Sequence, residues 1–114
     1  MGEIELASMD VVIVPFPFTD RQASKRRPAL VLSAAAFSRV TRHSVLAMIT
    51  SAEQSSWPGD VAIADLEAAG LPAPCVVRLK LFTLDHRLIL KRIGKLGTAD
   101  SGALATRWRT LVFA

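Results

Sequence analysis

Basic side chains are the most numerous charged groups in this sequence, and their spacing is uneven. Residues 21–52 include six basic residues and no acidic one, and residues 78–95 include six basic residues and one acid. Between these blocks, residues 53–67 include four acidic residues and no basic one. A single surface charge is usually only solvated, but separate basic blocks on a compact domain predict a face that binds the phosphates of a nucleic acid.

The thiol and imidazole groups give little support for other kinds of catalysis. Cys75 is the only cysteine and lies in an apolar run, so it is interpreted as an inert thiol within a strand, because a nucleophilic cysteine needs an electropositive and partly exposed setting. His43 and His86 could act as acid/base groups, but neither is at ligand spacing from the cysteine or from the other histidine. We therefore expect no metal and no other cofactor.

Trp57 lies between Ser55-Ser56 and Pro58-Gly59, a composition that predicts a loop. A tryptophan in a loop can stack on an unpaired nucleic-acid base, a contact worth about 1–3 kcal/mol. The same side chain could instead cover the end of a barrel or lie between two copies of the chain. These roles stay open at the level of sequence.

Short apolar runs predict the strands that must position these groups. The predicted strands are residues 10–16, 27–33, 44–50, 60–64, 75–80 and, with a mixed pattern, part of 87–96. A helical turn is expected at 34–37 and a chain reversal at 68–72. Several short strands predict a mainly β fold, a small antiparallel barrel in one domain spanning residues 1–114.

The C-terminal segment has a different pattern. Asp100 or Ser101 can cap the start of a helix. The apolar residues that follow fall at helical spacing and predict one buried face, made of Leu104, Trp108, Leu111 and Val112.

Length and composition limit the class of protein. A chain of 114 residues, 51% hydrophobic and 21% charged, is too apolar to be intrinsically disordered. Its longest uncharged run is the 11 residues 28–38, whereas a membrane-spanning helix needs roughly 20 residues. The first five residues lack the basic start and apolar stretch of a signal peptide, and with a lone cysteine this favours the cytoplasm. The net charge of +4 indicates an anionic partner, and the apolar surplus predicts self-association.

Several segments, in order, carry a resemblance to a known family. They are the Asp10-Val11-Val12 opening of residues 9–18, the basic residues and Arg-Pro pair that precede an apolar strand in 25–33, the Ile-Thr-Ser sequence in 48–51, and residues 82–85 and 93–96. With the closing helix, they resemble the PemK/MazF family of toxins from bacterial type II toxin–antitoxin systems, over nearly the whole chain from about residue 8.

The resemblance implies an SH3-like barrel of the PemK/MazF/CcdB type that forms a homodimer. It implies a metal-independent endoribonuclease that cleaves single-stranded RNA, chiefly mRNA, at short sequences through attack by the ribose 2′-OH. It also implies a cognate antitoxin, with an acidic C-terminal segment, that blocks the RNA site.

Carried onto this sequence, the resemblance assigns the catalytic arginine to Arg27, its hydroxyl partner to Thr50 and a second hydroxyl to Ser51. A guanidinium offers a fixed fork of donors to phosphoryl oxygens, and a hydroxyl adds another. Because the pKa of arginine exceeds about 12, electrostatic stabilisation is expected rather than base catalysis. The predicted RNA-binding residues are Lys25, Arg26, Gln54, Trp57, Arg78 and Lys80.

Two positions depart from the family pattern, and two other functions remain open. Lys80 stands where an acidic residue is expected two positions after Arg78, and Met9 stands where glycine is usual. The alternatives are a CcdB-like barrel that poisons DNA gyrase by protein contact, and a barrel that binds RNA or antitoxin without cleaving.

Overall fold

The predicted strands are present and pair into one antiparallel sheet. The computed structural model describes residues 5–17, 25–53 and 56–113. Its strands are β1 (Asp10–Phe16), β2 (Lys25–Val31), β3 (His43–Ser51), β4 (Val61–Ala62), β5 (Cys75–Asp85) and β6 (Lys91–Lys95). Its helices are α1 (Ala35–Thr41), α2 (Leu66–Ala69) and α3 (Thr98–Leu111), with a 3-10 turn at His86–Leu88. The strand order is β4-β5-β3-β2-β1-β6, which confirms the mainly β fold with a C-terminal helix.

Alternation along the strands gives the sheet two apolar faces. The face covered by α3, named the α3 face, buries residues that include Val11, Leu30, Ala47, Ile49 and Val77 around Leu104. The opposite face, named the Leu6 face, buries Val12, Val14, Ala29, Val31 and Leu46 beneath Leu6, Leu84 and Ile89. Because the period is two, the register of each strand pair decides which side chains share a face.

Some element boundaries differ from the predicted ones for tertiary reasons. β5 continues to Asp85 because its far half pairs with the start of β3, and this pairing extends to His43. The segment 87–96 mixes two periods because it contains part of the 3-10 turn and then β6. The predicted reversal at 68–72 contains the end of α2. The start of this helix is capped by the Asp65 carboxylate, which accepts the Ala68 N–H at 3.0 Å.

The start of α3 corrects the predicted cap. The helix begins at Thr98 with Gly97 as its N-cap, so Asp100 lies inside the first turn. Its buried carboxylate instead accepts the N–H of Ala64 at 3.0 and 3.1 Å and that of Asp65 at 2.9 Å. The predicted apolar face is buried only at its start, since Leu111 and Val112 are exposed. The carboxylate thus joins α3 to the segment after β4.

Met9 has a φ of 74°, in the left-handed region that favours glycine. Its N–H donates to the Val31 carbonyl at 2.7 Å, and its carbonyl accepts the Leu96 N–H at 2.9 Å. These bonds hold the left-handed turn before β1. The positive φ gives a physical reason why glycine is usual at this position in the family that the sequence resembles.

Helix α2 packs against β6 at a close approach of two backbones. Gly70 follows α2 with a φ of 73°, and a Cβ on it would overlap the carbonyl oxygen of Ile93. Gly70→Ala is therefore expected to lower the free energy of unfolding by about 1–3 kcal/mol. Gly102 in α3 has no atom within 4 Å of such a Cβ, so Gly102→Ala is expected to raise that free energy by about 0.5–1 kcal/mol. Urea unfolding of both variants measures these effects, and shifts of the same sign would contradict the assignment.

Membrane insertion through a helix has no support in the described part of the chain. None of the helices there combines the length and the apolar character needed to cross a bilayer.

Candidate active site

The two arginines and the threonine predicted for the site lie on one face of the sheet. Arg27 of β2 pairs with Val14 of β1, and Thr50 lies on the same side of β3 as Met48 and Leu46. On the other side of β3, Met48 pairs with Arg78 of β5. Directly opposed residues of antiparallel strands share a face. Arg27, Thr50 and Arg78 therefore all belong to the Leu6 face.

Arg27 has a guanidinium that no acidic group neutralises among the described residues. Its Cζ lies 4.9 Å from the centroid of the Phe16 ring, a cation–π contact that sets the plane of the group. Its Nε is buried and has no hydrogen-bond partner there. A buried donor without an acceptor costs stability, so it is poised for a ligand that brings an anionic oxygen.

The two hydroxyl groups at the end of β3 differ. Thr50 is half-buried, and its hydroxyl has no hydrogen bond to the described residues. Ser51 is exposed, and its Oγ accepts the Glu53 N–H at 3.2 Å, which is a turn contact. Thr50 is thus the hydroxyl available to a ligand beside Arg27, whereas Ser51 also shapes the following turn.

Arg78 forms a bidentate ion pair with Asp60. Its Nε donates to Oδ1 at 3.1 Å and its Nη2 to Oδ2 at 2.9 Å, and the side chains are 12% and 17% exposed. The hydrogen bond from Arg78 lowers the pKa of Asp60, the Trp57 N–H acts in the same direction, and burial opposes both. A lowered pKa means that the pair contributes fully to stability above the ordinary pKa of aspartate, and that this contribution is lost as the pH falls through the lowered value.

Lys80 lies at an irregularity in β5. Arg78 pairs with Met48 and Leu81 with Ala47, so Leu79 and Lys80 stand between successive pairs. Two extra residues preserve the alternation, which leaves Lys80 on the same face as Arg78. Its Nζ lies 4.8 Å from the centroid of the Trp57 ring, and that ring is 41% exposed.

The remaining predicted contacts are at the start of β2 and in the loop after β3. Lys25 and Arg26 are exposed, and neither has an ion pair within the described ranges. Gln54 lies outside the described residues, as does Phe18 with most of the loop that precedes β2. In contrast, Arg92 and Lys95 both reach the buried Asp10, at 3.0 and 3.3 Å. The basic block at 78–95 is therefore partly neutralised, whereas Lys25, Arg26 and Arg27 have no ion pair with a described residue.

The cysteine and the histidines lie apart from these residues. Burial raises the pKa of the Cys75 thiol, in agreement with an inert group. His86 is buried and shares a hydrogen bond of 2.8 Å with Ser44, at the opposite end of β3 from Thr50. His43 contacts the Thr41 carbonyl through Nδ1 at 2.8 Å. In the described ranges, no three His, Cys, Asp or Glu side chains are grouped so that they could hold a metal ion.

Two residues of the site were missed from sequence. Phe16 was predicted only as the end of a strand, but it is half-buried and its ring lies against the Arg27 guanidinium. Asp60 was counted only as part of the acidic stretch. Its opposite charge to Arg78 was visible, but no local signal connects residues 18 positions apart.

Comparison with solved structures finds the same fold in bacterial toxins. MazE-MazF (form II) from Deinococcus radiodurans is 23% identical, covers 96% of this chain and 97% of that chain, and has a TM-score of 0.73. Mycobacterium tuberculosis toxin MazF-mt6 is 22% identical over 89% and 93% of the two chains, with a TM-score of 0.71. An endoribonuclease in complex with its cognate antitoxin, from mycobacterial species, is 18% identical over 93% and 91%, with a TM-score of 0.71. At these identities the matches establish the fold.

The family follows from the sequence comparison. No curated protein matches the chain. The family described as PemK-like, MazF-like toxin of type II toxin-antitoxin system matches residues 7–112, a range that includes Arg27, Thr50 and Arg78. The chain therefore belongs to the PemK-like, MazF-like toxins of type II toxin–antitoxin systems.

Proposed function

We propose that this protein is a metal-independent endoribonuclease that cleaves single-stranded RNA, chiefly mRNA, as the toxin of a type II toxin–antitoxin system. The observation that carries the proposal is the buried Arg27 Nε, which has no hydrogen-bond partner among the described residues and shares the Leu6 face with Thr50. A donor pair of this kind suits a phosphodiester, whose oxygens gain negative charge as the bond breaks. Family membership and the endoribonuclease among the structural neighbours support the same activity.

The reaction needs no group beyond the RNA as nucleophile. The ribose 2′ oxygen forms a bond to phosphorus while the bond from phosphorus to the 5′ oxygen breaks. The 2′-OH loses a proton and the 5′ oxygen gains one, which gives a 2′,3′-cyclic phosphate and a free 5′-OH. Arg27 would stabilise the phosphoryl oxygens through its fork of N–H donors, and Thr50 would supply a further donor. A flexible single strand can bring the 2′ oxygen in line with the leaving oxygen, which a regular duplex does not allow.

The cationic groups on and next to this face support RNA binding. Lys25 lies on the same side of β2 as Arg27, Arg26 is exposed between them, and Arg78 and Lys80 lie on β5, across β3. Trp57 keeps 41% of its surface exposed and offers a ring on which a base can stack. Ser51, the last residue of β3, and Gln54, which lies outside the described residues, complete the proposed set of RNA contacts.

A homodimer and an antitoxin are proposed as the protein partners. Exposed apolar side chains support an interface: at the end of α3, Leu111 is 52% and Phe113 is 72% exposed, and on α1, Val40 is 83% exposed. The neighbour from Deinococcus radiodurans is a MazE-MazF complex, which supports an antitoxin partner for this chain. The surplus of basic residues around Arg27 suits an acidic antitoxin segment. A lone cysteine, which cannot form an intrachain disulfide, is consistent with the proposed cytoplasmic location.

The test is cleavage without metal. The purified protein, freed of antitoxin, is incubated in EDTA with a long single-stranded RNA and with the same RNA carrying 2′-O-methyl groups. We expect cleavage of the first RNA only, with cyclic phosphate and 5′-OH ends, because the methyl group blocks the attacking oxygen. Intact RNA with folded protein would overturn the proposal, and inhibition of gyrase supercoiling in that case would favour a gyrase poison.

A further inference from the structure

Asp60 is bonded to the loop before β4 and to the neighbouring strand β5 at once. Its Oδ1 accepts the Arg78 Nε–H, and its Oδ2 accepts both Arg78 Nη2 at 2.9 Å and the Trp57 N–H at 3.1 Å. The Asp60 N–H donates in turn to the Trp57 carbonyl at 3.1 Å. The pairing of Val61 with Val77, continued by one residue, places Asp60 directly opposite Arg78. One carboxylate therefore fixes the guanidinium and the loop backbone together.

A second contact ties the same loop to the same strand. The Lys80 Nζ lies over the Trp57 ring at 4.8 Å. Arg78 and Lys80 are both on the Leu6 face of β5, and Met48, two residues before Thr50, is opposite Arg78. The loop from Trp57 to Asp60 is thereby held along the edge of β5 that faces away from β3. We name these two contacts, Asp60 with Arg78 and Trp57 with Lys80, the loop clamp.

If only net charge mattered, a carboxylate at position 60 would weaken RNA binding. A carboxylate beside Arg78 and Lys80 reduces the positive charge that attracts RNA phosphates. Its bidentate geometry and low exposure, 17% against 12% for Arg78, instead give a shielded pair that fixes orientation. The cost in charge and the gain in geometry therefore predict opposite effects when the carboxylate is removed, which makes the role testable.

We propose that Asp60 is a positioning residue of the RNA site, which holds the Arg78 guanidinium and the Trp57 loop in place along β5. The inference rests on the proposed function, since it concerns how that RNA is held. Asp60 does not touch the substrate. It acts through Arg78, which contacts phosphate, and through Trp57, which contacts a base.

The first experiment compares Asp60→Asn with Glu67→Gln. Each variant removes one negative charge and so raises the net charge by one, but Glu67 is exposed on α2 and lies outside the clamp. We expect Asp60→Asn to lower kcat/KM for RNA cleavage by about 10–100-fold, through a lower kcat and a higher KM, because misplacement by about 1 Å is enough for such losses. Glu67→Gln is expected to cleave at least as well as the wild type. Cleavage by Asp60→Asn at the level of Glu67→Gln would overturn the proposal.

A double-mutant cycle separates positioning from a simple loss of stability. Arg78→Gln and the double variant Asp60→Asn with Arg78→Gln are measured alongside Asp60→Asn, each at a temperature where thermal melting shows it to be folded. If Asp60 acts in part through Arg78, the loss in the double variant is smaller than the product of the two single losses, because part of the effect of Asp60 is already absent without Arg78. Losses that multiply would show that the two residues act independently and would refute the positioning role.

A binding measurement keeps the clamp distinct from the proposed function. Trp57 fluorescence is followed in a Trp108→Phe background while a 2′-O-methyl RNA is added. Binding by the wild type that weakens about tenfold in Asp60→Asn supports the clamp even if no RNA is cleaved, since one lost base stack accounts for such a change. Equal binding by the two proteins would contradict it, and a wild type that neither binds nor cleaves RNA would overturn both proposals.

Discussion

Replacing Arg27 with alanine is expected to abolish RNA cleavage, with kcat lower by about 10³-fold or more. The guanidinium is the group on the Leu6 face with a buried donor that no described residue satisfies, so its loss removes the stabilisation of the phosphoryl oxygens. The fold should persist, because Arg27 has no ion pair in the described ranges and only one ring contact, with Phe16. Single-turnover cleavage in EDTA measures the effect, and thermal melting checks the fold.

The matched control is the neighbouring residue. Arg26→Ala removes the same charge from the same strand, but Arg26 is exposed and points to the other side of β2. It is expected to weaken RNA binding only a few-fold, in a manner that depends on salt, as for a phosphate contact that only positions the strand. Equal losses in the two variants would mean that net charge, rather than the Arg27 site, accounts for activity.

Replacing Asp100 with alanine is expected to lower the free energy of unfolding by about 3 kcal/mol, since hydrogen bonds to charged groups each contribute about 1.5–3 kcal/mol. The carboxylate is 5% exposed and accepts the N–H groups of Ala64 and Asp65, which the substitution would leave without an acceptor. It also lies in the first turn of α3, where a negative charge is favoured by the helix dipole. Urea unfolding followed by circular dichroism gives the value.

Ser101→Ala is the control for this second prediction. Ser101 is the next residue of α3, and its Oγ makes only a long contact of 3.4 Å with the Leu96 carbonyl. Its replacement should cost less than about 1 kcal/mol, which is typical of a weak neutral hydrogen bond. A loss as large as that of Asp100→Ala would show that the first turn of α3 is sensitive to any such substitution, and that the buried carboxylate has no special role.

The strands were the most predictable part of the fold. The run 10–16 was predicted with the bounds that β1 has, because its apolar residues are confined between polar segments. The extent of β5 was not predictable, since residues 81–85 are held by pairing with β3 and not by a local apolar pattern. The first residue of α3 was also missed, because the carboxylate of Asp100 resembles a cap in sequence but bonds to a distant segment.

The candidate site could be named in part from sequence. Arg27 and Thr50 followed from a family resemblance in short segments, and strand alternation puts both on the Leu6 face. Their roles remain predictions until the variants are assayed. Phe16 and Asp60 could not be named, because each acquires its role only through a partner on another strand.

By itself, the sequence determined the class of fold and the excess of basic residues, because apolar spacing and charge are local properties of the chain. The tertiary structure decided which of those charges remain available. Strand register pairs Arg78 with Asp60, and Arg92 and Lys95 with Asp10, so much of the second basic block is neutralised within the protein. Register also leaves Arg27 without a described acidic partner, and its buried donor lies on the same face of the sheet as Thr50. Such pairing depends on distances between residues far apart in the chain, and these distances exist only once the strands have assembled into the sheet.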